Sequence, residues 1–344
     1  MYILVTGGAG YIGCHTVRAL QKEGFKVVVL DNLINGHRKI VENVLKVPLV
    51  IGDIGNNQLL TKLLEGEHES TKGNKIEAVV HFAAFAYVGE SVINPSKYFK
   101  NNVAKTIYLL DTILKVSKER KKNSHNYKIP IVFSSSCATY GIPDDFPIVE
   151  TTKQNPINPY GESKLIIEKV LKKYSEVYNL SSIIFRYFNA AGADPKGDLG
   201  ENHCPETHLI PLAFDAAEKK LPYLRIYGDN YPTPDGTCIR DFIHVVDIAD
   251  AHVIGLKKII KDNGCYIYNL GTGEGLSVKQ IISQVEKITN RNVKTKIEPR
   301  REGDPHILLS SPKKAFEELN WEPKYSTINK IISDAWQWYK KLNL

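Results

Sequence analysis

The sequence predicts an α/β protein, a doubly wound parallel sheet with a smaller mixed α/β C-terminal lobe, and three observations lead there. Short apolar, β-rich runs alternate with longer helical patterns through the first half of the chain. A glycine-spaced loop joins the first run to the first helix, and beyond Asn189 the alternation loosens into stretches rich in Gly, Pro and Asp. In order, the strand runs are Ile3 to Val5, Val27 to Leu30, Pro48 to Ile51, Ala78 to Phe82, Ile131 to Ser134 and Ser182 to Arg186. The helical patterns between them are Ile12 to Lys22, Asn57 to Leu64, Ser96 to Ser117 and Tyr160 to Tyr178, which right-handed crossovers place on both faces of the sheet. Helix-like stretches at Val245 to Lys261, Ser277 to Asn290 and Ile328 to Leu342 complete the smaller lobe. The expected division is 1–188 for a nucleotide-binding domain and 189–344 for a second lobe, with segments returning to pack on the first.

Composition excludes several classes. At 344 residues, with 42% hydrophobic and 24% charged residues, the chain has ample core and no low-complexity tract. The formal charge of +7 lies largely in local runs such as Lys118-Glu119-Arg120-Lys121-Lys122 and Lys172-Lys173. These read as solvated helix faces in preference to a nucleic-acid patch. The five cysteines, Cys14, Cys137, Cys204, Cys238 and Cys265, never form a C-x-x-C pair, which argues for a reducing compartment and against zinc. No metal is expected. Met1 runs directly into the strand-like Tyr2-Ile3-Leu4-Val5, and no apolar stretch approaches the ~20 residues of a membrane span. A cytoplasmic protein is expected.

The loop Thr6-Gly7-Gly8-Ala9-Gly10-Tyr11-Ile12-Gly13 carries glycines at Gly7, Gly10 and Gly13. The first two permit a tight turn and close backbone approach to a pyrophosphate; the third lets helix and strand pack closely, with the helix N-terminus facing the phosphates. Alone, such a loop is equally a plain strand-to-helix turn. The second strand, however, ends directly on Asp31, where a carboxylate meets the adenosine ribose and repels a 2′-phosphate. NAD is therefore expected over NADP, on a Rossmann-type sheet.

Tyr160-Gly161-Glu162-Ser163-Lys164 opens a predicted helix, where residues four apart share a face. Of eighteen tyrosines, only Tyr160 has a lysine four residues on. The cation, helped by a positively charged nicotinamide, is expected to depress the phenol from its ordinary pKa of ~10 and make Tyr160 a general base near neutral pH. Phe133-Ser134-Ser135-Ser136 is a strand ending in hydroxyls at the carboxyl edge of the sheet, where open α/β sheets bind ligands. Ser136 then orients or protonates the hydroxyl on which Tyr160 works. Separately, an amphipathic helix start and a polar loop account for these motifs; together with the glycine loop they point to a redox site.

At this point the sequence resembles the extended short-chain dehydrogenase/reductases and, within them, the UDP-glucose 4-epimerases. The resemblance runs almost end to end. It covers the glycine loop, Asp31-Asn32-Leu33, Gly52-Asp53-Ile54, His81-Phe82-Ala83-Ala84, Val88-Gly89-Glu90-Ser91, Asn101-Asn102-Val103, Ser134-Ser135-Ser136, Tyr160 to Lys164 and Arg186-Tyr187-Phe188-Asn189. More specific segments follow: Pro205-Glu206-Thr207-His208-Leu209-Ile210-Pro211, Asp235-Gly236-Thr237, Arg240-Asp241 and Arg300-Arg301-Glu302-Gly303-Asp304. The resemblance implies that Gly7, Gly10, Tyr11, Ile12 and Gly13 line the cofactor. It implies that Asp31, Asn32, Asn35, Asp53 and Ile54 contact its adenosine half, that Phe82, Ala83 and Asn101 lie further along it, and that Tyr160 and Lys164 meet the nicotinamide end. For a UDP-hexose, besides Ser136 and Tyr160, it implies contacts from Asn189 and Leu209, uracil at Tyr227, a diphosphate clamp of Arg240 and Arg301, and ribose at Asp304. Forked guanidiniums suit diphosphate oxygens, although each arginine alone reads as a surface ion-pair partner. The implied reaction is reversible inversion at C4 of UDP-galactose and UDP-glucose through a 4-keto sugar with transient NADH, in a homodimer packed through the Ser96 to Ser117 and Tyr160 to Tyr178 helices.

Two positions depart from some relatives. Ala86 replaces a lysine, and Leu308 stands at the sugar-pocket wall where relatives carry tyrosine or a smaller residue, leaving acceptance of N-acetylated UDP-hexoses open. One rival is a nucleotide-sugar 4,6-dehydratase, which needs Asp-Glu where this chain has Cys137-Ala138 after Ser136. The other is a non-catalytic NAD-sensing scaffold, which fold alone does not exclude.

Overall fold

The computed structural model describes residues 1–121, 128–301 and 303–342, so Lys122 of the basic run, part of the lysine-rich stretch after Lys115, and Glu302 lie outside the described residues. The chain divides into two compact units: Met1–Thr139 with Asn158–Arg186 and Ala249–Tyr268, and Tyr140–Ile157 with Tyr187–Ile248 and Asn269–Leu344. Among the described residues no helix is long and apolar enough to cross a membrane. All five cysteines are free thiols.

The first unit centres on a seven-stranded sheet. Its spatial order is Cys265–Leu270, Ser182–Tyr187, Ile131–Ser136, Ile76–His81, Tyr2–Thr6, Lys26–Asp31 and Leu49–Ile51. The pairings from Ile131–Ser136 across to Leu49–Ile51 are all parallel. Runs such as Val27-Val28-Val29-Leu30 show no polar alternation because both faces are covered. Leu4, Val28, Val79, Ile131 and Ile184 pack with helical Leu60, Leu63, Leu109, Ile113 and Ile167 in one buried cluster. Chain order reverses between Tyr2–Thr6 and Ile76–His81, so a crevice opens at their carboxyl ends.

The helix Pro159–Tyr178 is framed by local chemistry: the Asn158 side chain accepts from Gly161 N at 2.8 Å, Pro159 occupies the first turn, and Asn179 closes it in the left-handed region at φ 59°. The stretch expected as one helix from Ser96 to Ser117 is instead Pro95–Tyr98, a widened turn Phe99–Ala104, and Lys105–Lys121. The reason lies in Asn102. Its Nδ2 donates to Phe85 O (2.9 Å) and Ser163 Oγ (3.1 Å), and its Oδ1 accepts from Phe85 N (2.9 Å), a satisfaction that the wide turn permits.

In the second unit, Ile239–His244 pairs with Gly275–Ser277, Ile307–Leu308 and Asn189–Ala191. Thr295–Glu298 and Leu224–Tyr227 form a separate parallel pair. The helices Leu209–Ala217, Val278–Thr289 and Ile328–Leu342 bury Phe214, Ile281, Val285, Ile332 and Trp336 together. Asp241, fully buried, accepts from Thr272 N and Oγ1, Gly273 N, and Ser310 N and Oγ, which joins three chain segments at one carboxylate.

Behind the first unit's sheet edge, Arg186 and Glu168 form an ion pair with each side chain only 1% exposed, and Ser135 Oγ donates to the same carboxylate at 2.5 Å. Glu168→Ala leaves a buried guanidinium without its charge partner and is expected to cost about 3–5 kcal/mol in urea unfolding. The double Glu168→Met, Arg186→Met variant should lose much less; an equal loss would assign the effect to packing.

Candidate functional site

The sequence-predicted residues of the first unit follow the carboxyl ends of five neighbouring strands. Gly7 to Gly13 follow Thr6, Asn32 and Asn35 follow Asp31, Asp53 and Ile54 follow Ile51, Phe82 and Ala83 follow His81, and Ser136 closes its own strand. Gly7 adopts φ +72°, and a Cβ there would stand 2.5 Å from Ala83 N, so the loop lies directly against the backbone after the fourth strand. A Cβ on Gly13 would meet Gly7 O at 2.2 Å, whereas one on Gly10 would meet nothing nearer than Gly7 O at 3.4 Å. No side chain caps the helix Tyr11–Lys22. An open glycine before an uncapped helix start is what a pyrophosphate requires, and the residues fit the dinucleotide.

Asp31, expected as a ribose partner, also has a structural task. Its Oδ2 accepts from Ala9 N (3.0 Å) and its Oδ1 from Leu33 N (2.8 Å), tying the glycine loop to the turn after the second strand. Burial pushes its carboxyl up despite these bonds. At Asp53 burial also works against the charge, but Lys105 at 2.6 Å, Gly55 N and Asn32 outweigh it and hold the carboxyl low. Ile54 is buried and Asn35 exposed. Phe82 N donates to Thr6 O, and the Phe82 ring lies 4.8 Å from that of His252. Asn101 Nδ2 donates to Asn102 Oδ1 at 3.1 Å. Ala86, the expected departure, is exposed.

Tyr160, Ser136 and Lys164 are brought together. The Tyr160 phenol hydrogen-bonds to Ser136, and Lys164 Nζ lies 5.9 Å from the Tyr160 ring centre. Lys164 does not donate to the phenol. It donates to Ser134 O at 2.7 Å, and burial lowers its amine to about 7 against the support of the Glu168 charge. Burial likewise pushes Tyr160 up to about 12, with Ser136 opposing. In the chain without its cofactor the phenol is thus raised, because burial outweighs the opposing Ser136 hydroxyl. Lowering requires a further cation or donor, such as a bound nicotinamide and its ribose supply. His81, held neutral by burial and lowered to about 3, bridges Thr6 Oγ1 (2.6 Å) and Thr106 Oγ1 (3.0 Å) beneath the loop. Sequence reasoning missed the supporting residues Asn102, Ser163 and Glu168, although Asn102 and Ser163 lay inside quoted motifs and Glu168 is one turn beyond Lys164.

In the second unit the structure gathers Tyr227, Arg301, Asp304, Arg240 and Leu308. The Arg301 guanidinium stacks 3.9 Å from the Tyr227 ring centre and hydrogen-bonds to its hydroxyl, lowering that phenol. Arg240 Nη2 donates to Asp304 Oδ1 at 2.5 Å, and Arg240 registers beside Leu308 on the adjoining strand. Leu308 is half-buried. Asn189 opens the strand paired with Phe242, and its Oδ1 is buried with no hydrogen-bond partner. Leu209 stands on a different element, at the first position of the helix Leu209–Ala217.

With this geometry in place, the chain can be set beside known proteins. A UDP-glucose 4-epimerase of Lacticaseibacillus casei is 45% identical over 340 residues, 99% of this chain and 97% of that one. The chain belongs to the UDP-glucose 4-epimerase family. A family model described as GDP-mannose 4,6 dehydratase also matches residues 4–334, a breadth that reflects the shared scaffold. Among solved structures, the UDP-glucose 4-epimerase from Brucella ovis in complex with NAD superposes with a TM-score of 0.89 at 45% identity, covering 98% of each chain. The Bifidobacterium longum enzyme in complex with NAD+ and UDP gives 0.88 at 36%, covering 99% and 98%. The dehydratase rival lacks its chemistry here, since Ser136 leads into the short turn Cys137–Thr139 with no carboxylate.

The depressed Lys164 amine makes a signed prediction. Above pH 7 the unfolded chain keeps a lysine proton that the folded chain has released, so this group makes stability rise with pH. Between pH 7 and 9 the cofactor-free parent should gain stability in urea relative to Lys164→Met. A constant difference would show that the folded-state amine is not lowered.

Proposed function

We propose that this chain is an NAD-dependent epimerase that interconverts UDP-galactose and UDP-glucose, with Tyr160 as the base. The observation that carries this reading is the buried hydrogen bond between Tyr160 and Ser136, with Lys164 one helical turn on. This supports an acid-base role for Tyr160 at the sheet edge that also bears the dinucleotide loop. NAD, held by the glycine loop and Asp31, would supply reversible hydride-transfer chemistry at the hexose C4.

The protein's own residues do the rest. Ser136 orients the 4-hydroxyl, Tyr160 takes its proton as the carbonyl forms, and the reverse transfer completes inversion through a 4-keto sugar. Lys164 would hold the cofactor ribose and, when charged, support the phenolate. On the second unit, Arg240 and Arg301 hold the diphosphate, Tyr227 the uracil, Asp304 the ribose, and Asn189 Oδ1 offers an acceptor otherwise left unpaired. Leu209 completes the sugar contacts. The nucleotide-binding role falls to the first unit and the UDP role to the second. The protein works in the cytoplasm as a homodimer, a reading supported by exposed Phe99, Tyr108, Val177 and Tyr178 on the helices expected to pair.

Incubation with UDP-galactose, without added reductant, should yield UDP-glucose, and Tyr160→Phe should lower the rate at least ~100-fold with the fold intact. No product even with NAD supplied would instead favour the NAD-sensing scaffold or another nucleotide sugar. Leu308 leaves more room than an aromatic residue beside Arg240, so N-acetylated UDP-hexoses are substrates as well. Leu308→Tyr should then lower kcat/KM for UDP-N-acetylglucosamine about 10-fold relative to UDP-glucose. A parent enzyme inert toward the acetylated sugar would remove this reading of Leu308.

A further inference from the structure

The segment 201–208 of the second unit carries two imidazoles and two carboxylates that the proposed reaction does not use. His203 Nδ1 lies 3.1 Å from Glu201 Oε1 and 4.0 Å from Glu206 Oε1. His208 Nδ1 lies 3.7 Å from Glu206 Oε1 and is in direct contact with Glu201 Oε1. All four donor atoms fall within 4.8 Å of one another. Four ligands around a tetrahedral ion at ~2.0–2.2 Å stand about 3.3–3.6 Å apart, so the observed spacings bracket that figure and need only small side-chain shifts to meet it.

We propose that Glu201, His203, Glu206 and His208 form a structural divalent-cation site of the zinc class. Two imidazoles and two carboxylates are a borderline donor set suited to Zn2+ or Co2+, whereas Mg2+ and Ca2+ seek oxygen alone. Four protein ligands fill a tetrahedral shell and leave no position for substrate, which makes the role structural. Without a cation, each imidazole meets Glu201 only as an N–H donor; the ion takes the place of those protons. The surroundings are already fixed. The Glu201 side chain is 8% exposed, and Trp338 Nε1 donates to its carbonyl at 2.7 Å. His208 immediately precedes the helix Leu209–Ala217, so the ion pins both the start of the segment and the entry to Leu209.

The test reads metal and needs no turnover, so its result stands apart from that of the epimerase reading. Purified untagged protein is analysed for zinc, stripped with a chelator, and titrated with Co2+. About one zinc per chain, and a cobalt adduct with the intense visible absorption of tetrahedral coordination that Zn2+ bleaches, are the expected results. The His203→Ala, His208→Ala double variant and Glu201→Gln should lose both. A parent chain that retains no zinc and gives no such cobalt spectrum overturns the site, whatever the variants do. Folded variants that bind zinc as the parent does overturn it equally, leaving an ion-pair cluster.

Discussion

A lysine amine taken out of water needs something to sustain its charge, and the way this chain meets that need at Lys164 organises the first unit. The amine donates to Ser134 O, its charge is supported by Glu168 one turn along the same helix, and Glu168 is in turn held by Arg186 and Ser135. The consecutive serines of one strand thus face three tasks: a carbonyl for the lysine, a hydroxyl for the glutamate, and at Ser136 a hydroxyl for Tyr160. The helix Pro159–Tyr178 cannot slide or turn without breaking all of them. Tyr160 is placed by the same constraint that buries the lysine.

The second constraint is the reversal of chain order between Tyr2–Thr6 and Ile76–His81. It opens the sheet edge where the glycine loop turns, and the absence of a Cβ at Gly7 lets that loop rest on Ala83. Asp31 serves this architecture before it serves any ligand, because its carboxylate gathers the amides of Ala9 and Leu33. Each carboxylate oxygen retains a lone pair after accepting one amide, so the arrangement leaves room for the ribose hydroxyl expected there.

What the sequence made legible was what sits close together along the chain. The glycine spacing, the strand ending on Asp31, the serine run and the lysine four residues after Tyr160 are each confined to one element or one turn, where spacing translates directly into geometry. Long-range partners were not legible: Glu168 with Arg186, Asn102 with Phe85 and Ser163, and Arg240 with Asp304 meet only after folding. The helix Leu209–Ala217 was not among the expected elements; its Pro211 falls in the first turn, where no amide bond is lost. Burial, which raises the Tyr160 phenol and lowers the Lys164 amine in the chain without cofactor, was likewise not legible from their spacing. The absence of C-x-x-C also drew attention from a cluster whose donors are histidine and glutamate.

For the proposed inversion, a hexose has to turn over while its nucleotide stays in place, and the second unit is suited to that division. Arg240 is already held by Asp304 and Arg301 already stacked on Tyr227, so these guanidiniums would lose little freedom in the diphosphate role proposed for them. Preorganisation of this kind favours the charged half of the ligand. Leu308, beside Arg240 in register, offers only apolar surface and no directed bond that would favour one face of the sugar over the other. On the proposed assignment, firm and directional contacts would fall on the nucleotide side and a non-directional wall on the sugar side, the asymmetry that would let one end of a ligand rotate while the other is retained.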